Sequence, residues 1–295
     1  MFSGSMVAIV TPFKKGKLDE KALADLIEVQ IAGGTSGIVP CGTTGESATI
    51  SHEEHNRIIE LTVKIVHGRV PVIAGTGSNS TEEAIALTRH AKKVGADAAL
   101  LICPYYNKPP QEGLYRHFKT VAKAVNLPLM PYNIPGRTGV NMLPDTVARL
   151  VDPKTGERNI VAIKESSGSL QQISEVIRLC GDRLAVLSGD DALTLPIMAL
   201  GGRGVISVAA NLIPRDCAEM AKAALKGDWD KARRLHFGMA SLVEALFIET
   251  NPIPVKTALG WMGRCSDEVR LPLCPMSEAN QAVLKKTMKD YGLTR

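Results

Sequence analysis

An apolar, β-branched segment followed by a helix-patterned one recurs eight times in the first three quarters of the chain, and that period limits the fold more than any other property of the sequence. The apolar segments are continuous and do not alternate with polar residues, as expected of strands covered on both faces. They predict strands at 6–11, 37–41, 70–74, 98–102, 127–132, 159–164, 184–188 and 204–208. Between them, Leu23, Leu26, Ile27 and Ile31 recur at helical spacing before Gly33, and Ser51 with Glu54 and Ser80 with Glu83 form two capping boxes. Eight such units predict a closed parallel (β/α)8 TIM barrel, not an open doubly wound sheet. From about Asp228 the pattern is helical only, at 229–248, 254–262 and 277–291. No Gly/Ser-rich linker precedes it. The expected division is therefore a catalytic barrel at 1–227 and a C-terminal helical appendage at 228–295 packed on it.

Composition narrows the function classes. Hydrophobic residues make up 45% and charged residues 22% of 295, ordinary for a globular protein. The net charge of +5 is not gathered into a Lys/Arg tract, which argues against nucleic acid as a partner. The apolar stretches are too short to span a bilayer, and MFSGSMVAIVTPF lacks the flank and cleavage site of a signal peptide, so a cytoplasmic protein with no membrane contact is expected. Six cysteines, at 41, 103, 180, 217, 265 and 274, show no CxxC pair and read as reduced core residues. His52 and His55 in SHEEH lack the HExxH spacing of a zinc helix and read as solvated. No metal or cofactor is expected.

Barrel active sites lie at the C-terminal ends of the strands, and the residues there are chemically coherent. The segment NIVAIKESSG runs an apolar strand straight into Lys164. An amine at the rim of a core is placed to attack a carbonyl and form a Schiff base, against the ordinary alternative of a lysine snorkelling into solvent. The other loops supply Thr43, Thr44, Tyr105, Tyr106, Tyr132, Arg137 and the backbone around Gly189 and Ile206. Tyrosine and threonine hydroxyls can relay the protons that imine chemistry needs, and Arg137 offers a planar fork for a carboxylate. GTGSNS and GTTGES lack the full dinucleotide and phosphate-loop patterns, and read as glycine-rich backbone that approaches a small anion.

The segments MVAIVTPF, GTTGESATI, PVIAGTGSN, CPYYNKPPQEGLYRHF, YNIPGRTG, IKESSG, LSGDDAL, GGRGVISV and ETNPIPVK, in this order along the whole chain, resemble the dihydrodipicolinate synthase family of pyruvate-dependent class I aldolases. The resemblance implies that Lys164 forms an imine with pyruvate and that Tyr132 transfers protons, with Thr43 and Tyr106 completing a relay. It implies Thr44, Gly189 and the Ile206 backbone around pyruvate, Arg137 on the carboxylate of L-aspartate 4-semialdehyde, and no cofactor beyond the covalent imine. It further implies a homotetramer built as a dimer of dimers, with Tyr106 reaching into the neighbouring site. An L-lysine site at Ser47, Ala48, His52, His55, Asn79, Glu83 and Tyr105 follows from the same resemblance, as the feedback site of lysine biosynthesis. The chain departs from the family by extra sequence at 153–158, away from the expected site. A sialic-acid or keto-sugar-acid lyase would share Lys164 but not Arg137, and a silent binding barrel would not need Lys164, Tyr132, Tyr106 and Thr43 together.

Overall fold

The computed structural model describes residues 2–294. Its strands are β1 (Gly4–Ala8), β2 (Phe13–Lys14), β3 (Lys17–Leu18), β4 (Ile38–Val39), β5 (Ile73–Gly75), β6 (Ala98–Ile102), β7 (Leu129–Asn133), β8 (Ala162–Glu165), β9 (Ala185–Ser188) and β10 (Gly204–Ser207). Strands β2 and β3 pair as a small antiparallel hairpin. The other eight form one parallel sheet in the order β4-β1-β10-β9-β8-β7-β6-β5. A bridge from Ile38 to Val72 joins the two ends, supported by Ile38 N donating to Pro71 O at 2.9 Å and Gly75 N donating to Pro40 O at 2.9 Å. The barrel is thereby closed, which leaves the eight-stranded sheet without a free edge.

Side-chain alternation sorts each strand into an inner and an outer face. Met130 and Tyr132 of β7, Ala162 of β8, Ala185 and Leu187 of β9 and Ile206 of β10 pack together inside the barrel. Leu129, Ile163 and Val186 point outward into the helix layer. The same period puts Lys164 inside, in register with Tyr132 on one side and Leu187 on the other. Small residues such as Ala8, Ala98, Ala162 and Ala185 alternate with bulky ones, as the narrow interior requires.

The first strand begins two residues earlier than the sequence suggests and stops at Ala8. Gly4 pairs with Gly204, where an added Cβ on Gly204 would lie 1.9 Å from Gly4 O, so the two backbones meet at a point only glycine permits. Ile9 still donates to Val39 O at 3.2 Å, but beyond it the buried backbone leaves the ladder: Val10 N donates to Asn211 Oδ1 at 3.2 Å and Thr11 O accepts from Lys256 Nζ at 3.0 Å. The C-terminal helices are Trp229–Ala245, Ile253–Trp261 and Glu278–Tyr291, and the first ends three residues before the predicted limit. Residues 153–158 lie where a helix-to-strand connection was expected, in a turn that Asp152 Oδ1 holds by accepting from Lys154 N and Thr155 N at 2.9 Å each.

Two expectations need correction. Ser51 and Glu54 form the complete capping box, but Glu83 does not reach back to its N-cap; its carboxylate is taken by His52 and Ser78. Cys41, Cys103, Cys180 and Cys217 are buried thiols, whereas Cys265 is half-buried and Cys274 exposed, since both sit in the irregular segment before the last helix. Among the described residues no helix is long and apolar enough to cross a membrane, and no group of three His, Cys, Asp or Glu could hold a metal ion.

His117, on the helix Gln111–Ala124, is the buried base with the clearest consequence for stability. Thr81 Oγ1 lies 2.9 Å from its Nδ1, its Nε2 is buried without a partner, and burial pushes the imidazole pKa down to about 4. The unfolded chain takes up this proton near pH 6.5, so the folded state loses stability as pH falls from about 6.5 toward 4. His117→Gln removes the titration; between pH 7 and pH 5 the variant should lose about 2 kcal/mol less unfolding free energy than the parent protein. Urea denaturation at the two pH values measures this, and parallel losses in both proteins would refute it.

Candidate active site

Strand β8 carries Lys164 to the end of the barrel, where its side chain is only 5% exposed. Its Nζ lies 4.2 Å from the ring centroid of Tyr132, itself 5% exposed on the neighbouring strand. On the opposite side stands Gly189, just past β9. An added Cβ there would lie 2.6 Å from Lys164 Cε and 2.1 Å from Ser166 Oγ, so a glycine is what leaves room for the lysine stem.

The outward side chains at the same strand ends build a buried polar layer beneath the site. Glu165 is fully buried, accepting from Asn133 Nδ2 at 3.1 Å and Ser167 N at 2.8 Å, and burial raises its carboxyl pKa. Asn133 also bonds Asn141 Oδ1 at 2.8 Å, and Gln172 bonds the same oxygen at 3.1 Å. Past β9, Asp191 accepts from Ser207 Oγ at 2.5 Å, Val208 N at 2.9 Å and Ala209 N at 3.2 Å; burial raises its pKa as well. This carboxylate fixes the backbone that follows Ile206.

The GTTGES loop presents Thr43, half-buried, and Thr44, 2% exposed. Its conformation is held from below by Glu46, whose φ of 54° lies in the left-handed region. Glu46 accepts from Lys256 Nζ at 2.7 Å and from Arg270 N at 3.0 Å, and Lys256 Nζ also donates to Thr11 O at 3.0 Å. Lys256 and Glu46 are 0% and 1% exposed, and burial lowers the Lys256 pKa. Arg270 completes the anchor with a fork of two 2.6 Å bonds to Glu54.

Asn251 joins two of the predicted residues. Its Nδ2 donates to Thr44 Oγ1 at 3.0 Å, and its carbonyl accepts from Arg137 Nη2 at 3.1 Å. Arg137 itself is exposed and lines a cavity of about 1270 Å³ with Ile134, Ser166, Gly189, Asp190 and Phe247. The sequence does not single out Lys256, Arg270 or Asn251. Asn251 and Lys256 fall in the ETNPIPVK segment and Arg270 outside it, and their partners Thr44 and Glu46 lie more than 200 residues away.

Tyr106 is set apart from the rest. It is 90% exposed with φ of 71°, in a turn closed by Asn107 N donating to Tyr105 O at 2.9 Å. Tyr105 is 38% exposed, and burial together with the nearby Glu83 carboxylate raises its pKa. Around it the structure gathers most of the predicted lysine-binding set. His52 Nε2 lies 2.8 Å from Glu83 Oε1, Ser78 Oγ donates to Glu83 Oε2, and Asn79 Nδ2 donates to Tyr105 O at 3.2 Å. Ser47 and Ala48 lie in the 3₁₀ turn Ser47–Thr49, a few residues before the helix that begins at His52. His55 departs from expectation: it is 6% exposed, with Nε2 2.7 Å from Gly75 O, so it supports the fold beneath the face and is not solvated. Its helix position faces the core, which the SHEEH spacing alone does not reveal.

With this geometry in place, comparison with known proteins is decisive. The sequence profile described as the dihydrodipicolinate synthetase family matches residues 1–291. The chain belongs to that family. It is 62% identical over 293 residues to the 4-hydroxy-tetrahydrodipicolinate synthase of Geotalea daltonii, covering 99% of this chain and 100% of the relative. The crystal structure of dihydrodipicolinate synthase from Aquifex aeolicus superposes with a TM-score of 0.97 at 53% identity, covering 99% of each chain. That of the synthase from Cyanidioschyzon merolae with lysine bound superposes with a TM-score of 0.95 at 42% identity, again covering 99% of each chain. As a dihydrodipicolinate synthetase family member the chain has the barrel and C-terminal helices its sequence pattern predicts.

In this family member the anchor under the site loop is open to a direct test. Lys256→Met strands Glu46 as an unpaired buried carboxylate and should cost roughly 3–5 kcal/mol, while the double change Glu46→Gln with Lys256→Met should recover a large part of it. Urea unfolding reads both. A single variant as stable as the parent, or a double variant less stable than the single, would show that the pair is not the anchor.

Proposed function

We propose that Lys164 is the imine-forming lysine of this chain, and that the strand-end residues around it serve that one covalent step. The reaction is the condensation of pyruvate with L-aspartate 4-semialdehyde to 4-hydroxy-tetrahydrodipicolinate and water, the lyase step that opens the diaminopimelate branch of lysine biosynthesis. The observation that carries the assignment of Lys164 is its burial between the Tyr132 ring and Gly189 at the end of β8.

The Lys164 amine adds to the pyruvate C2 carbonyl and expels its oxygen as water, giving the imine. Loss of a proton from the adjacent methyl group gives an enamine, with the protonated imine as the electron sink, so no added cofactor is called for. Tyr132 is the proton carrier, and Thr43 and a partner subunit's copy of Tyr106 complete its relay. The 90% exposure of Tyr106 and its left-handed backbone support a side chain held out toward a second copy. A homotetramer arranged as a dimer of dimers is the assembly this reading requires. Thr44, the Gly189 backbone and the Ile206 backbone hold the pyruvate carboxylate. Arg137, steadied by the Asn251 carbonyl, takes the semialdehyde carboxylate.

Borohydride with pyruvate should fix a stable adduct on Lys164 that peptide mass spectrometry locates, and Lys164→Ala should form none. An adduct on another lysine overturns the assignment.

The face at Ser47, Ala48, His52, Asn79, Glu83 and Tyr105 is the L-lysine site in this proposal, with His55 as its buried support. Glu83 is the ammonium partner: it already gathers His52 and Ser78. A charged hydrogen bond of roughly 1.5–3 kcal/mol means that Glu83→Gln should weaken L-lysine binding about tenfold or more in calorimetry. Undiminished affinity would remove Glu83 from the site.

A further inference from the structure

The geometry points to Ser166 as the residue that receives the aldehyde oxygen of the second substrate, a specificity role for the carbon–carbon bond-forming step that rests on the Lys164 imine. Ser166 lies two residues beyond Lys164, and strand periodicity turns both side chains toward the barrel mouth. Its backbone is fixed by the N–H donating to Asn133 O at 2.8 Å. Its hydroxyl oxygen is buried and has no protein hydrogen-bond partner among the described residues. It lies 2.1 Å from the point where a Gly189 Cβ would fall, a point that is also 2.6 Å from Lys164 Cε, so the hydroxyl stands beside the lysine stem.

Its polar neighbours in the cavity lining are already committed. Asp191 is saturated by Ser207, Val208 and Ala209, and Asp190 Oδ1 accepts from Ala192 N at 2.9 Å and Leu193 N at 3.3 Å. Ser166 lines the same cavity with a buried hydroxyl that still has a donor to spare. Ser166, Gly189 and Arg137 line one cavity, and Gly189 also packs against the Lys164 stem. A semialdehyde whose carboxylate rests on Arg137 must direct its aldehyde inward to reach the enamine carbon on Lys164. Its carbonyl oxygen then arrives beside Ser166. When the enamine carbon bonds to the aldehyde carbon, the carbonyl π pair moves to that oxygen, and the Ser166 O–H donates a hydrogen bond to the growing negative charge. A proton delivered by the Tyr132 relay completes the 4-hydroxyl group.

Two variants in the intact enzyme test this, with pyruvate and L-aspartate 4-semialdehyde as probes. Ser166→Ala should leave borohydride trapping of pyruvate on Lys164 at the parent rate while kcat/KM for the semialdehyde falls about 100-fold, the loss that removal of one oxyanion donor brings. The fall should be in kcat more than in KM, because the bond is strongest in the transition state. Ser166→Cys, similar in shape but a weak donor, should lie between the two. Semialdehyde efficiency unchanged in both variants overturns the proposal. So does a trapping rate that falls in step with turnover, which would make Ser166 a structural support of Lys164. Failure of the parent enzyme itself to trap pyruvate on Lys164 would instead refute the imine assignment, so the two failures are distinguishable.

Discussion

The Glu46–Lys256 ion pair is the contact on which the site loop depends. One ammonium, covered by the Phe13 ring at 4.4 Å, binds both the Thr11 carbonyl and the Glu46 carboxylate, and so ties the segment after β1 to the loop that carries Thr43 and Thr44. Glu46 could not hold its left-handed backbone by intrinsic preference. Desolvating two charges is expensive and their attraction roughly offsets it, so the gain lies less in net stability than in one permitted loop geometry. Each partner without the other is a strongly unfavourable buried charge. The C-terminal region therefore does more than cover the barrel: through Lys256 on its second helix, and Asn251 and Arg270 in the connections on either side, it sets the positions of residues far earlier in the sequence.

The two-residue period of the strands gives the site its second constraint. Inward positions at the strand ends hold Tyr132 and Lys164, which touch each other and the interior. The next positions, Asn133 and Glu165, turn outward and are buried among helices. A buried carboxylate is tolerated there only because Asn133 and Ser167 hydrogen-bond it. Asp191 repeats the device beyond β9, with Ser207 and two backbone N–H groups. One face supplies the proposed reacting groups and the other fixes the loops between them, so a slip of one residue would exchange the two sets.

Much of this was legible in the chain. The β6 strand lies where its apolar run places it, Lys164 ends an apolar run because it ends a strand, and the Ser51–Glu54 capping box forms as written. These are local signals, carried by neighbours in sequence. The displaced first strand shows the limit: Ile9 and Val10 are as apolar as the strand before them, yet past Ile9 the backbone bonds to partners more than 200 residues later, Val10 N to Asn211 Oδ1 and Thr11 O to Lys256 Nζ. The same reason hid Lys256, Arg270 and Asn251, whose chemistry exists only once the C-terminal helices pack on the barrel. The charged neighbours at 53 and 54 make His55 look solvated, although it shares the buried face of its helix with Ile58, Ile59 and Thr62. Ser166 had no signal except its distance of two residues from Lys164.

The turn at Tyr105 and Tyr106 shows how little distance the proposed regulation has to cover. The Tyr105 carbonyl accepts from both Asn79 Nδ2 and Asn107 N, and its ring stands near Glu83, while Tyr106 projects outward at φ 71°. A non-glycine residue in that region keeps its conformation only while its neighbours impose it, at a cost on the order of 1–3 kcal/mol. In the proposed regulation, a ligand ammonium that draws Glu83 away from Ser78 and His52 changes what Tyr105 packs against. The direction of Tyr106 changes with it, because the two share one turn. A coupling free energy of 1–3 kcal/mol between sites is of the same size as the strain held in that single residue, so partial inhibition needs no rearrangement of the barrel.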